Sequence, residues 1–278
     1  MKLFVEHLTT IDSAYLHPEH GLLGESWMVD ITLEGALDDQ SMVMDFADVK
    51  RKLKFVIDDT IDHTLIMPQL SPELQLDNHK DFLVARWGFG VSETLEHTSP
   101  HKAVTLLKAK QVTHETIIAH LKGILAPFLP DSVKGIELQL RTEVTSEPTY
   151  HYVHGLKKHG GNCQRIAHGH RSRIQIFRND VRAHELEQAW AADWKTAYIG
   201  STEDLEKELD GFSHFAYTSQ QGAFRLSYPT KRCRMIDTDS TVECIATFIA
   251  NTLKSREPNA NFTVRAYEGV QKGAIAQA

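Results

Sequence analysis

The chain has 278 residues, 41% of them hydrophobic, which is enough for one large domain or two ordinary ones with buried cores. Its formal net charge is −7, and the absence of a basic stripe argues against a nucleic-acid partner. No apolar run approaches the ~18 residues of a membrane span, and three cysteines do not make a disulfide framework. We therefore expect a cytoplasmic protein without a membrane partner.

Hydrophobic periodicity predicts a mixture of strands and helices. Strands are expected at residues 27–33, 82–87, 103–107, 136–140, 171–177, 224–228, 232–236 and 262–266. Helices are expected near residues 46–60, 115–126, 183–194, 202–209 and 242–254. Hairpins followed by a helix, twice, indicate an α+β fold with antiparallel sheets and helices on one face.

One pattern occurs twice along the chain: Pro-x-Lys, a helix that opens on Thr-x-Glu, and a strand that leads to a glutamate. Its members are Pro100, Lys102, Thr113, Glu115 and Glu143 in the first half, and Pro229, Lys231, Thr241, Glu243 and Glu268 in the second. The stretch Thr145–Pro148 interrupts the pattern. We therefore expect two units, residues 1–146 and 147–278, and interpret residues 184–194 as an insertion in the second.

Three histidines form a candidate metal site. His168 and His170 stand at i and i+2, so on a strand both imidazoles point to the same face. His154 on a neighbouring strand would complete the three-histidine set of a catalytic Zn²⁺. Cys163 lies between them and is a candidate reactive thiol. The alternative interpretation is that they are surface residues, since the chain has sixteen histidines.

Several blocks resemble the 6-pyruvoyl-tetrahydropterin synthase / 6-carboxytetrahydropterin synthase family. They are residues 42–50 (MVMDFADVK), Ile61-Asp62-His63 and Thr113-His114-Glu115 in the first half, and the His154/Cys163/His168-Gly169-His170 block, Thr241-Val242-Glu243 and Ala266-Tyr267-Glu268 in the second. The chain thus resembles a tandem fusion of two family units. The resemblance implies the tunnelling fold: a four-stranded antiparallel sheet with two outer helices in each unit, and units that close into an oligomeric barrel. A homo-oligomer is therefore expected.

The resemblance also implies an active site between units and a role for each matching residue. The implied residues are Cys163, Asp62 and His63 for catalysis, Glu268, Thr241 and Glu243 for substrate binding, and His154, His168 and His170 for zinc. An interpretation without a role in substrate binding stays open for some of them. Thr241 and Glu243 would then only cap a helix, and Glu268 would be an exposed residue near the end of an edge strand.

The departures from the family pattern are complementary. Where the first half should carry His-Gly-His it has Leu23-Gly24-Glu25, so of the three ligands we expect only His7 to remain. Where the second half should carry Asp-His it has Ser213-His214. We therefore expect one composite zinc site per chain, built from both halves. Cys163 lies five residues before His168, whereas the family uses a spacing of four.

The resemblance implies a zinc-dependent lyase that converts 7,8-dihydroneopterin triphosphate. The reaction would be of the 6-carboxytetrahydropterin synthase type, on the queuosine route, or of the 6-pyruvoyl-tetrahydropterin synthase type. Two other functions remain open at this point. One is a pterin aldolase or epimerase-like enzyme, and the other is a catalytically silent pterin- or purine-binding protein.

Overall fold

The computed structural model describes residues 1–37, 42–43 and 45–278. The first half contains β1 (Lys2–His17), β2 (Gly21–Gly35), α1 (Phe46–Thr60), β3 (Leu65–Pro68), β4 (Leu74–Asn78), β5 (Leu83–Phe89), β6 (Glu93–Ser99), β7 (Val104–Leu107), α2 (His114–Leu125) and β8 (Val133–Arg141). The second half contains β9 (Thr149–His154), β10 (His168–Arg178), β11 (Val181–Arg182), α3 (His184–Asp193), β12 (Thr196–Ser201), β13 (Leu205–Leu209), β14 (Phe212–Ser219), β15 (Gly222–Pro229), β16 (Cys233–Ile236), α4 (Val242–Arg256), β17 (Phe262–Tyr267) and β18 (Gly273–Gln277).

Apart from β11 and β18, the two halves share one order of elements: a hairpin, a helix, a strand, a three-stranded insert, a strand, a helix and a strand. In this order α3 stands where α1 stands in the first half, so the interpretation of residues 184–194 as an insertion is wrong. The helix expected at residues 202–209 is also wrong, because a short 3₁₀ turn there leads into β13. Pairing of β13 with β14 overrides the helix-forming composition of this segment.

Three sheets organise these strands. The first has the order β7-β3-β1-β2-β8, and the second β16-β12-β9-β10-β17-β18 with β11 attached to β10. The third, β13-β14-β15-β6-β5-β4, takes strands from both halves. Helices and mixed sheets confirm the α+β class. The expectation of four-stranded, purely antiparallel sheets is wrong, since β3 runs parallel to both β1 and β7.

Helices α1, α2 and α4 begin at polar residues that cap them. The Asp45 carboxylate accepts the backbone N–H groups of Ala47 and Asp48 at the start of α1. Thr113 caps α2 and Thr241 caps α4 in the same way. Of the family-like block at residues 42–50, Met44 and the side chain of Phe46 lie outside the described residues.

Three apolar clusters hold the molecule together. One packs α1 and α2 against the first sheet and includes Ile57 and Leu121, and a second packs α3 and α4 against the second sheet. The third draws on both halves and includes Leu65, Tyr198 and Phe215. Because burial of apolar surface is the main stabilising term in folding, this shared cluster makes the halves one folded body.

The halves are related by an approximate two-fold axis. In the third sheet Leu226 pairs with His97, and each of them stands three residues before the proline of its Pro-x-Lys motif. Equivalent positions therefore meet at the axis. None of the helices among the described residues is long and apolar enough to cross a membrane.

Candidate metal centre

Three buried imidazoles meet where β9 ends and β10 begins. His154 is the last residue of β9 and pairs with His168, the first residue of β10. His170 follows at i+2 on the same face of the strand. The potential ligand atoms of the three side chains lie within 4.8 Å of one another. The strand pairing thus brings together the three histidines that the sequence singled out.

The nitrogen atoms of these imidazoles suit a metal ion. Nδ1 of His154 lies 2.9 Å from the carbonyl oxygen of Ser240, and Nδ1 of His168 lies 3.0 Å from that of Arg165. These carbonyls can only accept, so each ring donates through Nδ1 and keeps a lone pair on Nε2. The Nε2 atoms of His154, His168 and His170 are buried without a hydrogen-bond partner. Buried polar atoms of this kind are costly unless a ligand satisfies them, and a metal ion would do so.

Burial also sets the protonation state. It lowers the pKa of His154 and of His168 well below the ordinary value of an imidazole. Both rings are therefore neutral at pH 7. Since a metal ligand must be deprotonated, the site holds these histidines in the form that coordinates an ion.

Asp62 and His63 reach this centre from the first half. They lie between α1 and β3, and Nδ1 of His63 is 2.6 Å from Oδ2 of Asp62. The His63 ring centroid is 5.0 Å from that of His168. The backbone of Asp12 fixes the pair, because its N–H donates to Oδ1 of Asp62 and its carbonyl accepts the N–H of His63. His63 has φ +56, a conformation that non-glycine residues seldom adopt and that is typical of functional sites.

Cys163 lies in the 3₁₀ turn Asn162–Gln164 between β9 and β10. Its sulfur and the ligand nitrogens of His63 and His168 lie within 4.8 Å of one another. The turn absorbs the five-residue spacing to His168 that departs from the family pattern. Burial lowers the pKa of His63, but hydrogen bonds with Asp62 and Cys163 outweigh burial and raise it to about 10.

Two further residues of this centre, Asp12 and Lys272, were not predicted from the sequence. Oδ1 of Asp12 lies 3.3 Å from Nδ1 of His170, and the Lys272 ammonium lies 3.1 Å from Oδ2 of the same carboxylate. Burial raises the pKa of Asp12, yet the attraction of His170 and Lys272 prevails and lowers it. A carboxylate behind a ligating imidazole is the usual outer partner of a metal site. Only the fold, which packs β1 against β10, could reveal it.

Arg165 is the third residue that sequence reasoning missed. Its backbone carbonyl accepts a hydrogen bond from Nδ1 of His168. Its guanidinium donates hydrogen bonds to the carbonyl oxygens of Asp62 and His63 at 3.5 and 3.4 Å. The side chain is buried. Arg165 therefore links His168 of one half to the Asp-His pair of the other.

Glu268 lies at the edge of the same centre. It follows directly after β17, and its carboxylate is 3.7 Å from the ammonium of Lys272. The next residue, Gly269, has φ +67, and a Cβ there would lie 2.5 Å from Oδ1 of Asp12. A glycine is required for this close approach, which brings the Glu268 loop against Asp12.

Thr241 and Glu243 lie at the start of α4, next to Ser240 and hence close to His154. The Thr241 hydroxyl accepts the N–H of Cys244, and Glu243 is exposed in the first turn. The contacts described for these two residues lie within their own helix. They fit the helix-capping interpretation.

The first half carries no such histidine set at the equivalent position. Tyr15 pairs with Leu23 in the β1–β2 hairpin as His154 pairs with His168 in the β9–β10 hairpin, and Glu25 follows at i+2. Tyr15 therefore occupies the place of His154, and the assignment of that place to His7 is wrong. His7 is exposed, and its Nε2 lies 2.8 Å from the Thr10 hydroxyl.

The counterpart of the Asp-His pair also differs from the expected one. In the first half, Leu65 of β3 pairs with Ala14 of β1 and Val104 of β7. In the second half, Tyr198 of β12 pairs with Val153 of β9 and Cys233 of β16. Asp62 lies three residues before Leu65, and Lys195 lies three residues before Tyr198. Lys195-Thr196 therefore stands where the first half has Asp62-His63. The equivalence of Ser213-His214 with this pair is wrong, because that dipeptide lies within β14 and pairs with β13.

Part of the chain is similar to known proteins. Residues 7–141 match the family model for 6-pyruvoyl tetrahydropterin synthase. Similar solved structures include 6-pyruvoyl tetrahydropterin synthase of Plasmodium falciparum, with 19% identity, a TM-score of 0.41, and 50% of this chain and 90% of that chain covered. The Plasmodium vivax protein has 22% identity and a TM-score of 0.38, with 53% of this chain and 93% of that chain covered. No curated protein matches the chain. Residues 7–141, just under half of the chain, therefore form a domain of the 6-pyruvoyl tetrahydropterin synthase family.

Proposed function

We propose that the chain is a zinc-dependent carbon–carbon or carbon–oxygen lyase that converts 7,8-dihydroneopterin triphosphate, as a 6-carboxytetrahydropterin synthase or a 6-pyruvoyl-tetrahydropterin synthase. The observation that carries the proposal is the meeting of the two halves at one centre. The His63 ring of the first half lies 5.0 Å from the His168 ring of the second, centroid to centroid. The family to which residues 7–141 belong supports the same reaction class.

The two halves have different roles in this proposal. Residues 1–146 form the unit without zinc and supply the Asp62-His63 pair, and residues 147–278 form the unit that holds zinc. We propose further that chains assemble into a homo-oligomer, because uncovered sheet edges such as β8 and β18 are open to pairing with another chain. The three cysteines are free thiols, which fits the cytoplasm as its location.

His154, His168 and His170 would hold the ion. When bound, zinc supplies an open coordination position that polarises a hydroxyl or carbonyl oxygen of the substrate and acidifies the neighbouring C–H or O–H. Cys163 stands beside His168 to accept a proton. His63, oriented by Asp62, exchanges a proton with the substrate at a second point, which is general acid–base catalysis.

Substrate selection would rest on Glu268. A carboxylate accepts two N–H donors from the 2-amino-4-oxo-pyrimidine edge of a pterin in a bidentate, charge-assisted manner. A ligand without those donors would leave the carboxylate unpaired, so the pair discriminates strongly. The Lys272 ammonium lies 3.7 Å from this carboxylate.

The test is to incubate the purified protein with 7,8-dihydroneopterin triphosphate and identify the product by mass, with zinc content measured on the same sample. Loss of the triphosphate with formation of a tetrahydropterin product supports the proposal. Zinc without turnover of the triphosphate, but with conversion of dihydroneopterin, indicates the aldolase or epimerase-like alternative. Binding of a pterin or purine without conversion of either substrate indicates a silent binding protein.

A further inference from the structure

A second group of potential metal ligands adjoins the three-histidine set. It consists of His63, Cys163 and His168, whose ligand atoms lie within 4.8 Å of one another. We propose that these three side chains form a distinct binding position for soft divalent metal ions, such as Cd²⁺, that overlaps the three-histidine site through His168 and excludes its simultaneous use.

The donor atoms are already oriented for this task. The Asp62 carboxylate accepts a hydrogen bond from Nδ1 of His63, so Nε2 is the nitrogen that would bind an ion after losing its proton. A carboxylate behind an imidazole is the outer partner that metal-ligating histidines commonly have. Nδ1 of His168 is bonded to the Arg165 carbonyl, and its fully buried Nε2 has no partner. Cys163 is a partly buried free thiol. Two imidazoles and one thiolate are a ligand set that zinc-like ions accept.

His168 decides how the two positions interact. It belongs to both groups, whereas His154 and His170 belong only to the three-histidine group and Cys163 only to the new one. An ion that uses His168 in one group removes a ligand from the other, so the positions compete. Thiolate selects soft ions, and imidazole suits zinc. A soft ion is therefore drawn to the Cys163 position.

Binding at this position has a simple balance. The protons on the Cys163 sulfur and on Nε2 of His63 go to solvent, the thiolate and two imidazole nitrogens each form a bond to the ion, and nothing is oxidised or reduced. The position itself depends only on this geometry. An ion at this position would also inhibit the proposed lyase reaction, because it would occupy both Cys163 and His63. That effect rests on the proposed function.

The test uses the full chain, freed of metal by a chelator and titrated with Cd²⁺. We expect the ultraviolet absorption of a sulfur-to-cadmium charge transfer, which reaches its limit at one ion per chain, together with release of protons from Cys163 and His63. Cys163→Ser should lose this band. His154→Gln and His170→Gln, which each remove a ligand of the three-histidine group alone, should keep it, with circular dichroism used to verify the fold.

Three results would overturn the proposal: Cd²⁺ bound without the band, a band that persists in Cys163→Ser, or a band that disappears in both folded histidine variants. The double variant Cys233→Ser/Cys244→Ser should retain the band, because those thiols lie outside the group. The readout is independent of turnover. An inactive protein that shows the band contradicts the proposed reaction only, and an active protein without it contradicts the metal position only.

Discussion

Gly24 and Gly169 occupy equivalent positions in the two halves and pack against each other. A Cβ on Gly169 would lie 2.7 Å from Cα of Gly24, and a Cβ on Gly24 would lie 2.1 Å from the carbonyl oxygen of Tyr152 and 2.6 Å from the backbone nitrogen of His170. The hairpins that carry the candidate ligands therefore approach backbone to backbone. This contact joins the two halves beside the metal centre.

A methyl group at this contact should destabilise the protein. Because the obstructing atoms belong to the backbone, they cannot move aside, and we expect Gly24→Ala and Gly169→Ala each to lower the free energy of unfolding by about 1–3 kcal/mol or more. Chemical denaturation measures this. The matched control is Gly123→Ala in α2, where a Cβ meets nothing within 4 Å, and which should raise stability by about 0.5–1 kcal/mol. Equal stability of Gly169→Ala and the natural chain would refute the contact.

Metal content should follow the histidines of the second half. We expect one zinc ion per chain after expression in zinc-replete medium, because the first half has Tyr15, Leu23 and Glu25 at the corresponding positions. His168→Ala should empty the site, and His7→Ala should leave the ion in place. Elemental analysis distinguishes these outcomes. Two ions per chain, or none, would be incompatible with this assignment.

Each chain should complete its own site, since Asp62 and His63 lie next to His168 of the same molecule. Asp62→Asn and His170→Ala chains are both expected to be inactive. When they are unfolded together, refolded and assayed as a mixture, activity should stay absent. Recovery of activity would mean that the pair serves a neighbouring chain instead.

Buried His97 should make the protein sensitive to acid. Burial lowers the pKa of His97 to about 4, whereas an unfolded chain has the ordinary value of about 6.5. Below pH 6.5 the unfolded state binds a proton that the folded state does not, so stability falls as the pH drops from 6.5 to 4 and is unaffected at higher pH. The full loss in the free energy of unfolding from this group is about 3 kcal/mol.

The variant that tests this is His97→Leu, because Leu226 stands at the equivalent position of the other half and is equally buried. Denaturation at a series of pH values should show a shallower loss of stability between pH 6.5 and 4 in the variant. If the free energy of unfolding falls equally with pH in the two proteins, His97 does not contribute to the acid sensitivity.

Some of the metal centre could be predicted from local sequence. His168 and His170 alternate on a strand, so their common face follows from the period of two. The capping residues Thr113 and Thr241 mark their helices in the same local way. These predictions need only neighbouring residues.

The remaining features depend on pairing between distant segments. Asp12 stands behind His170, and Tyr15 rather than His7 takes the place of His154, because of the register of the β1–β2 hairpin. Lys195 could not be matched to Asp62 by motif, since they share no chemistry and correspond only through the sheet. Substitution after a duplication erases sequence likeness but preserves register.

The most direct test of a composite site is the zinc content and turnover of His63→Ala. We expect one zinc ion per chain, a fold unchanged by circular dichroism, and a rate of triphosphate conversion lower by ~10²–10⁴-fold, the usual contribution of a general acid–base group. Full activity of His63→Ala, with its zinc retained, would contradict the claim that the first half completes the metal centre of the second.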